Sequence, residues 1–371
     1  MRKLNVAILA GGRSSEHDIS RLSAMSIIDA LDRDKYEPVA VLIERSGDWR
    51  LTSPEKLSLP TGAPQADPGK GSTHSRTNSS PAAPIRVASE TRPATVTSPS
   101  TALRGVDVIF PVLHGPYGED GTIQGLLETA GVPYVGAGVL ASAVGMDKAV
   151  FKAVLRDAGV PVAPGEVAHI TRTDRDELVA RVVAEHGFPL FVKPARLGSS
   201  IGISRATTVA ELHAALTLAF EHDSKVLVEA AVVGIEVECG VLGNDEPLVS
   251  VPGEVQIAPG SDWYDFDTKY MEGMMELIVP AGISAAASER VREVSLQVFH
   301  AIDCAGLARV DCFVTPDDQV IVNEVNTMPG FTATSAYAKL FEASGYSYNQ
   351  VVDRLIQLAI DRHREQQELR H

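Results

Sequence analysis

The chain has 371 residues, enough for two or three domains with cores of their own. Its formal net charge of −15 argues against a nucleic-acid partner, because phosphate backbones require a basic protein surface. No apolar run has the length of a membrane span, and the first residues lack the apolar region of a signal peptide, so we expect a cytoplasmic location and no membrane association. Three cysteines without C-x-x-C spacing, Cys239, Cys304 and Cys312, favour core packing over disulfides or a zinc site.

The first part of the chain has the pattern of an α/β domain. Apolar runs with strand character alternate with amphipathic helical segments, and a glycine-rich loop follows the last strand. The predicted elements are strands at 5–10, 36–43 and 106–110 and helices at 20–31 and 122–130. We therefore assign an α/β domain to this part of the chain.

The segment from about residue 60 to residue 103 interrupts this pattern. It consists mainly of Pro, Ser, Thr, Ala and Gly and has almost no bulky apolar side chains. Such a segment cannot bury enough apolar surface to offset the entropy lost on ordering, so we predict a flexible insertion. A lid or a recruitment segment is the alternative. A protease is expected to cut here first, and resistance of this stretch to limited proteolysis would contradict the prediction.

The rest of the chain combines helices with strands that follow one another directly, which is typical of an α+β fold. A helix follows Lys148 and ends before Gly159, the usual position of a C-terminal glycine. Two more helices begin with capping-box patterns whose first residues are Thr173 and Thr208. The other predicted elements are strands at 188–193, 226–229, 236–242 and 248–255 and a helix at 286–302.

Two β-rich apolar runs joined by the turn sequence TPDD predict a hairpin in this part of the chain. The hairpin places Asp311 opposite Glu324, and Arg309 opposite Asn326. Side chains alternate between faces along a strand, so these four polar groups share one face. Oxygen ligands beside a guanidinium suit a hard cation and its anion, and Mg²⁺ needs few protein carboxylates. The alternative is a charged, solvent-exposed face of an edge hairpin.

A second candidate site begins at Lys193, where a predicted strand leads into the small-residue loop GSSIG at 198–202. Backbone N–H groups of such a loop can surround phosphate oxygens, because no bulky side chain blocks their approach. The spacing is neither that of a P-loop nor that of a dinucleotide fingerprint, and a plain turn is the alternative. Together with Lys148, the acidic Glu229 and the hairpin carboxylates, the loop indicates an ATP site.

Six motifs in order resemble those of a known family, the D-alanine–D-alanine ligases, which are ATP-grasp carboxylate–amine ligases. The motifs are GGRSSEHDIS at 11–20, LHGPYGEDG at 113–121, VGMDK at 144–148, KP at 193–194 with GSS at 198–200, YDFDTKY at 264–270 and NEVNTMPGFT at 323–332. The resemblance implies a three-subdomain ATP-grasp fold. Its parts would be an α/β N-terminal domain over 1–140, a central subdomain over 141–235, and a C-terminal subdomain over 236–371 that carries the metal site and a mobile loop.

The resemblance also implies a reaction and its cofactors. ATP would phosphorylate the carboxylate of one D-alanine, and the amine of a second D-alanine would attack the acyl phosphate, giving a dipeptide for peptidoglycan precursors. Asp311, Glu324 and Asn326 resemble the ligands of two magnesium ions, which Mn²⁺ can replace. The implied ATP-binding residues are Lys148, Lys193, Ser199, Ser200, Glu229, Ala230, Ala231, Val232, Glu236, Lys269, Asn323 and Glu324.

These ATP-binding residues divide by the part of the nucleotide they would contact. Lys148 and Lys193 resemble the contacts of the α- and β-phosphates, and Lys269 that of the γ-phosphate. Glu229 and Glu236 resemble the carboxylates that bind the adenine amino group and the ribose hydroxyls. Backbone hydrogen bonds to adenine are expected from residues 230–232, where Ala230 replaces a charged residue common in relatives.

For the first D-alanine, Glu16 would bind the ammonium group and His114 would lie near the carboxylate. The alternative for Glu16 is a carboxylate that complements the dipole of the following helix, and for His114 a structural hydrogen bond. Ser199 and Tyr270 resemble the polar link from Glu16 to the mobile loop, which would exclude water from the acyl phosphate.

For the second D-alanine, Arg309 and the Gly330 amide would stabilise the oxyanion formed by its attack. Ser335 and the backbone near Ala336 would fix its carboxylate, although Ala338 stands where a proline is common in relatives. Both assignments are carried by the resemblance.

The product is the point on which alternatives remain open. Relatives that make D-alanyl-D-lactate lack the Lys-Tyr pair to which Tyr270 belongs, so its presence favours D-alanine as second substrate. Tyr270→Phe is expected to weaken the preference for D-alanine over D-lactate at neutral pH, and an unchanged ratio would contradict this role. A D-lactate or D-serine ligase of the same fold, or a non-catalytic ATP-binding relative, is the alternative. A homodimer is implied by the family.

Overall fold

The computed structural model describes residues 2–58, 98–257 and 275–369. Lys269, Tyr270 and most of the predicted insertion lie outside these residues. The final residues of the range predicted as an insertion are folded, because a short helix forms at Pro99–Ala102 and Leu103 is buried.

The N-terminal sheet has the strand order β3-β2-β1-β4. Its strands are β1 (Leu4–Gly11), β2 (Tyr36–Ile43), β3 (Trp49–Thr52) and β4 (Val108–Pro111). Strand β1 pairs in parallel with both β2 and β4, and β3 adds an antiparallel edge. The connection from β1 to β2 is a helix, as parallel pairing requires, and the predicted α/β pattern is confirmed.

The central sheet is antiparallel and has the order β5-β8-β6-β7. Its strands are β5 (Gly165–His169), β6 (Leu190–Pro194), β7 (Ser204–Ala206) and β8 (Lys225–Ala230). Two helices cover it through a core that includes Leu178, Val182, Leu212 and Leu216. The opposite face of the sheet is thereby left for polar side chains.

The C-terminal sheet is also antiparallel, with the order β12-β11-β9-β13-β14 and β10 paired to β9. Its strands are β9 (Ile235–Gly243), β10 (Leu248–Val249), β11 (Gly253–Ile257), β12 (Met275–Ile278), β13 (Gly306–Val314) and β14 (Val320–Asn326). The single strand predicted at 248–255 is wrong, since β10 and β11 are separate. Pro252 lies between them and has no N–H to donate to a ladder.

In the described part of the chain, helices fill the space around three sheets. They are α1 (His17–Ala30), α2 (Pro99–Ala102), α3 (Thr122–Ala130), α4 (Val139–Met146), α5 (Lys148–Asp157), α6 (Arg175–His186), α7 (Val209–His222), α8 (Ala285–Ala301), α9 (Ala336–Ala343) and α10 (Tyr348–Glu368), with a 3-10 helix at Pro54–Leu57. Among the described helices, none is long and apolar enough to cross a membrane.

One of the two predicted capping boxes is misplaced. Helix α6 begins after Asp174, whose carboxylate accepts the N–H groups of Asp176 and Glu177, while the Thr173 hydroxyl accepts the N–H of His169. Aspartate is as good an N-cap as threonine, so the sequence pattern could not separate the two. The N-cap predicted at Thr208 is confirmed.

Helix α10 closes the core of the N-terminal sheet. Its buried residues Val351, Leu355 and Ile356 belong to the same apolar cluster as Val6 and Ile8 of β1. The three cysteines are buried and free, as predicted. The described residues thus form two antiparallel sheets and one mixed sheet. The C-terminal helix α10 packs on the mixed, N-terminal sheet.

Candidate active site

The hairpin β13–β14 has the predicted register, with Arg309 opposite Asn326 and Asp311 opposite Glu324. The Arg309 guanidinium donates to both oxygens of Asp311, at 2.7 Å each, and the side-chain amide of Asn326 donates to the same carboxylate at 2.9 Å. Asp311 is only 3% exposed, because β13 lies between β9 and β14. The alternative of a solvent-exposed charged face is therefore wrong for this residue.

Glu324 connects the hairpin to helix α5. Its carboxylate lies 3.4 Å from the ammonium of Lys148, which also donates to the carbonyl of Leu197 at 2.7 Å. Lys148 is the first residue of α5, whose N-cap Asp147 accepts the N–H of Val150. The cap fixes the start of the helix and so directs Lys148 toward both the hairpin and the loop after β6.

Glu229 on β8 lies between two lysine ammonium groups. Lys193 is 2.8 Å from one carboxylate oxygen, and Lys152 hydrogen-bonds to the other. Burial opposes ionisation of Glu229, yet the charges of Lys152 and Lys193 lower its pKa to about 2. Burial in turn lowers the pKa of Lys152 to about 8, against the opposing attraction of Glu229. Glu229 is therefore a buried carboxylate that stays ionised.

Lys152 is not among the site residues predicted from the sequence. It follows Lys148 by four residues, so both side chains emerge on one face of α5. That spacing was the available signal, but the partner, Glu229, is remote in sequence and had to be located by the fold.

A cavity of about 500 Å³ gathers most of the predicted ATP-binding residues. Lys148, Lys193, Ser200, Glu229, Ala230, Val232, Glu236, Asn323 and Glu324 line it. Ser199 and Ala231 are not among its lining residues, and Lys269 lies outside the described part of the chain. Apolar walls come from Phe191, Ile203 and Phe313. A mostly concave site with an apolar wall and converging charges suits a nucleotide.

The backbone at the edge of this cavity has fewer donors than expected. The N–H of Ala230 donates to the carbonyl of Pro164 at 2.9 Å, and that of Ala231 to the carbonyl of Pro189 at 3.1 Å. Ala230 and Ala231 therefore have carbonyl oxygens, and no N–H groups, to offer a ligand.

Glu16 is joined to the loop after β6. The Ser199 hydroxyl donates to the Glu16 carboxylate at 2.8 Å, and both Ser199 and Ser200 have positive φ, 53° and 56°. The left-handed region is unfavourable for serine, so the loop is held in a sparsely populated conformation there. Glu16 is the N-cap residue of α1 but makes no side-chain capping bond. Its side chain is directed to Ser199 instead of the helix end.

His114 is 4% exposed. Its Nδ1 pairs with the carbonyl of Met328 at 3.0 Å, and its Nε2 lies 3.5 Å from the Ser23 hydroxyl. Burial lowers its pKa, so the ring is neutral. The structural hydrogen bond considered as the alternative for His114 is present, and a contact with substrate stays a prediction.

Glu119 is a site residue that the sequence reasoning did not select. Its carboxylate accepts the N–H of Gly115 at 2.6 Å and the N–H of Met328 at 3.2 Å. Burial and the nearby Glu16 charge raise its pKa to about 8. Glu119 thus ties the loop after β4 to the segment that follows the hairpin. The motif at 113–121 contains it, but spacing alone gave it no role.

The segment after the hairpin ends at helix α9. Ser335 is its N-cap residue, Ala336 is its first residue, and the Ser335 hydroxyl donates to the carbonyl of Thr332 at 2.8 Å. A helix N-terminus favours a carboxylate. A Cβ added at Gly330 would meet no heavy atom within 4 Å, so the space on that side of the backbone is open.

Comparison with known proteins agrees with this geometry. The family models described as D-ala D-ala ligase N-terminus and D-ala D-ala ligase C-terminus match residues 5–137 and 154–357. The chain belongs to the D-alanine–D-alanine ligase family. Its relatives include the D-alanine–D-alanine ligase of Streptomyces avermitilis, which is 45% identical over 97% of this chain and 95% of that protein. D-alanine–D-alanine ligase A of Escherichia coli K12 is 42% identical over 98% and 97% of the two chains.

Solved structures of two ligases resemble the fold closely. The D-alanine–D-alanine ligase of Coxiella burnetii superimposes with a TM-score of 0.80 at 36% identity, covering 99% of this chain and 97% of that one. The VanG D-Ala:D-Ser ligase of Enterococcus faecalis superimposes with a TM-score of 0.79 at 32% identity, covering 96% and 100%. The predicted ATP-grasp fold is confirmed by these neighbours.

Proposed function

We propose that this protein uses ATP to join two molecules of D-alanine, releasing ADP and phosphate. The observation that supports it most is the convergence of Lys148, Lys193, Glu229 and the hairpin residue Glu324 around one cavity of nucleotide size. The assignment of D-alanine as the substrate is based on relatives named D-alanine–D-alanine ligase at 42–46% identity. The product would serve peptidoglycan synthesis in the cytoplasm, and a homodimer remains part of the proposal.

The nucleotide would lie with its base near Glu229 and its phosphates near the lysines. Glu229 accepts a hydrogen bond from the adenine amino group, and Glu236 binds the ribose hydroxyls. Lys148 and Lys193 offer ammonium groups to the α- and β-phosphates, and the loop with Ser200 surrounds them. Fixed cations at phosphate oxygens stabilise the charge of phosphoryl transfer, which depends mainly on positioning and electrostatics.

The hairpin residues suit magnesium in their donor chemistry. Asp311, Glu324 and Asn326 offer two carboxylates and one amide, all hard oxygen donors on one sheet face. In the described residues there is no group of three or more His, Cys, Asp and Glu side chains suited to a metal ion, so the oxygens of ATP would have to complete the shell. Bound magnesium, or manganese in its place, would neutralise phosphate charge.

The two D-alanines would bind at Glu16 and at the N-terminus of helix α9, residues that do not line the ATP cavity itself. Glu16 holds the ammonium group of the first D-alanine, and the carboxylate of that D-alanine attacks the γ-phosphorus of ATP, with ADP as the leaving group. The amine of the second attacks the resulting acyl phosphate at carbon, and phosphate leaves. Arg309 and the Gly330 N–H stabilise the oxyanion, while Ser335 and the α9 N-terminus near Ala336 hold the carboxylate of the second D-alanine.

Closure over the acyl phosphate is assigned to Ser199 and Tyr270. Ser199 already donates to Glu16, and Tyr270, outside the described residues, would complete the link. Lys269, also outside the described residues, would contact the γ-phosphate. Exclusion of water protects the acyl phosphate from hydrolysis.

D-serine is the second candidate for the attacking substrate, because the VanG D-Ala:D-Ser ligase is a neighbour with a TM-score of 0.79. D-lactate and a non-catalytic, nucleotide-binding role are further alternatives. All of them keep the ATP cavity and differ in the acceptor or in turnover.

The test is ATP turnover with defined acceptors. Phosphate release is measured with Mg²⁺ and D-alanine alone, with D-alanine plus D-serine or D-lactate, and with L-alanine, and products are identified by mass. The proposal expects D-alanyl-D-alanine as the main product in every mixture that contains D-alanine. Mainly D-alanyl-D-serine would favour the second candidate, and no phosphate release with any acceptor would favour a non-catalytic role.

A further inference from the structure

Lys152 lies behind the candidate ATP cavity instead of facing it. Its side chain is 1% exposed, and it is among the largest fully buried side chains of the described residues. The cavity lining includes Glu229 and Lys193 but not Lys152. A buried ammonium with no route to the ligand acts only through its partner, the Glu229 carboxylate.

Glu229 pairs with two lysine ammonium groups, although one would be enough to neutralise its charge. Lys193 already divides its ammonium between Glu229 at 2.8 Å and the side-chain oxygen of Asn323 at 3.1 Å. Lys193 also faces the cavity, where phosphates would attract it. Lys152 does not line the cavity, so phosphates bound there would not compete with Glu229 for its ammonium group.

The consequence concerns Glu229 once a nucleotide is bound. If Lys193 turned to the phosphates with no second lysine present, Glu229 would be a buried carboxylate without a counter-ion, and it would take up a proton. A protonated carboxyl can donate as well as accept a hydrogen bond, so it would no longer distinguish an amino group from a keto oxygen. An ionised one only accepts, and it therefore favours adenine over guanine or hypoxanthine.

We propose that Lys152 is a positioning residue that keeps Glu229 ionised and directed at the 6-amino group of adenine while Lys193 serves the phosphates. The inference rests on the proposed function, because it assumes that Glu229 meets the base. To the proposed function it adds a physical explanation for the preference for adenine nucleotides. In this explanation Lys152 makes no contact with substrate.

The experiment measures kcat and KM for ATP and for inosine triphosphate, which carries a keto oxygen in place of the 6-amino group, in the wild type and in Lys152→Met. In the wild type, replacing the amino group is expected to raise KM about ten- to hundredfold, the usual effect of losing a hydrogen bond to a charged group. In Lys152→Met, KM for ATP is expected to rise by a similar factor, kcat to change less than about threefold, and the two nucleotides to become nearly equivalent.

Two further variants separate positioning from general stability. Lys152→Arg keeps the charge and is expected to restore most of the discrimination between the two nucleotides. Lys225→Met is the matched control, since it removes a part-buried lysine that pairs with Asp147, the N-cap of the same helix. It is expected to keep the wild-type discrimination even if its Tm falls.

Each outcome decides one statement. Full discrimination by a folded Lys152→Met variant would overturn the inference and leave the proposed function intact, and so would equal loss in Lys225→Met. If Lys152→Met does not fold, discrimination by Lys152→Arg that stays far below that of the wild type overturns the inference. Absence of ATP turnover by the wild type would instead overturn the proposed function.

Discussion

At the residue scale, the charged groups of the site are held in place by charges of the opposite sign. Arg309 binds both oxygens of Asp311, Lys148 lies 3.4 Å from Glu324, and Glu229 lies between two lysines. Pairs of this kind fix side-chain geometry before a ligand arrives, so less ordering is needed on binding. Removing one member of a pair leaves the other as a buried charge without compensation.

Glu324→Gln tests the hairpin. The substitution keeps the shape of the side chain but removes the charge that faces Lys148 and the proposed metal. We expect kcat to fall about a hundredfold or more, and Tm to fall as well, because Lys148 loses the carboxylate that compensates its buried charge. Steady-state phosphate release and thermal unfolding measure the two quantities, and Glu342→Gln on the exposed face of α9 serves as the control. Retained turnover would show that the hairpin is not the metal site.

Glu119→Gln tests the buried carboxyl group. Because the folded state raises the pKa of Glu119 from 4.5 to about 8, it binds more protons than the unfolded state between these values, and stability is lost as pH rises through them. Glutamine does not titrate, so the stability of Glu119→Gln relative to the wild type should increase from pH 5 to pH 8. The change is bounded by about 1.4 kcal/mol per pH unit for one proton.

Urea unfolding of both proteins at several pH values measures this difference. The exposed Glu365→Gln in α10 is the control and should show no such trend. A difference between Glu119→Gln and wild type that stays constant with pH would mean that Glu119 is ionised in the folded protein.

At this scale, the sequence could predict an interaction between two side chains only where the two residues lie close together in the chain. Strand alternation was enough to pair Asp311 with Glu324, because a connection of only five residues, 315–319, joins their strands. Lys152 and Glu119 have partners in other elements, so their environment follows only from the fold. Ala231 was placed at the adenine through the family resemblance, whereas its N–H group is already used by Pro189.

At the scale of elements, helix α10 and the N-terminal sheet share one apolar core. The Tyr36 hydroxyl of β2 donates to Asp353 at 2.7 Å and accepts from Gln357 at 2.9 Å, so polar contacts fix the same helix face. A complete capping box formed by Ser347 and Gln350 begins the helix. The helix is therefore part of the core structure of the domain it returns to.

Leu355→Ala should destabilise the protein. Leu355 is fully buried in this core, so the change is expected to lower the free energy of unfolding by about 2–5 kcal/mol. Arg354→Ala, one residue earlier on the exposed face, should change it by less than about 0.5 kcal/mol. Denaturant unfolding followed by circular dichroism measures both. Equal effects would contradict the packing of α10 on the sheet.

Element prediction succeeded where the pattern was regular and local. The strand at 36–43 and the helix at 122–130 have the predicted bounds. Helices α9 and α10 were not predicted, although the capping box at Ser347 was a visible signal. The element on which α10 packs could not be predicted, since its partner strand lies at the other end of the sequence.

At the scale of the whole molecule, the bond between Ser199 and Glu16 joins the loop after β6 to the N-terminal domain. In the proposed function this bond belongs to the closure that excludes water. The division of the chain at residues 140 and 235 remains a prediction, and each of the three sheets lies essentially within one of the resulting ranges.

Ser199→Ala should uncouple ATP use from ligation. Loss of a hydrogen bond to a charged group is expected to lower kcat/KM about tenfold or more. Water that enters the less tightly closed site would hydrolyse part of the acyl phosphate, so the ratio of phosphate to dipeptide should rise above one. Parallel assays of both products measure the ratio, with Thr217→Ala on the exposed side of α7 as control. A ratio that stays at one would exclude this role.

The return of helix α10 to the first sheet has a consequence for how the protein is made. Tyr36 of strand β2 hydrogen-bonds to Asp353, 317 residues later in the chain. The first strands to leave the ribosome therefore cannot complete their core until one of the last helices has been synthesised. Until α10 has been synthesised, the apolar face of these strands remains exposed to water, and the nascent N-terminal part cannot fold completely. Any C-terminal truncation within α10 would accordingly destabilise the sheet formed by the opposite end of the sequence.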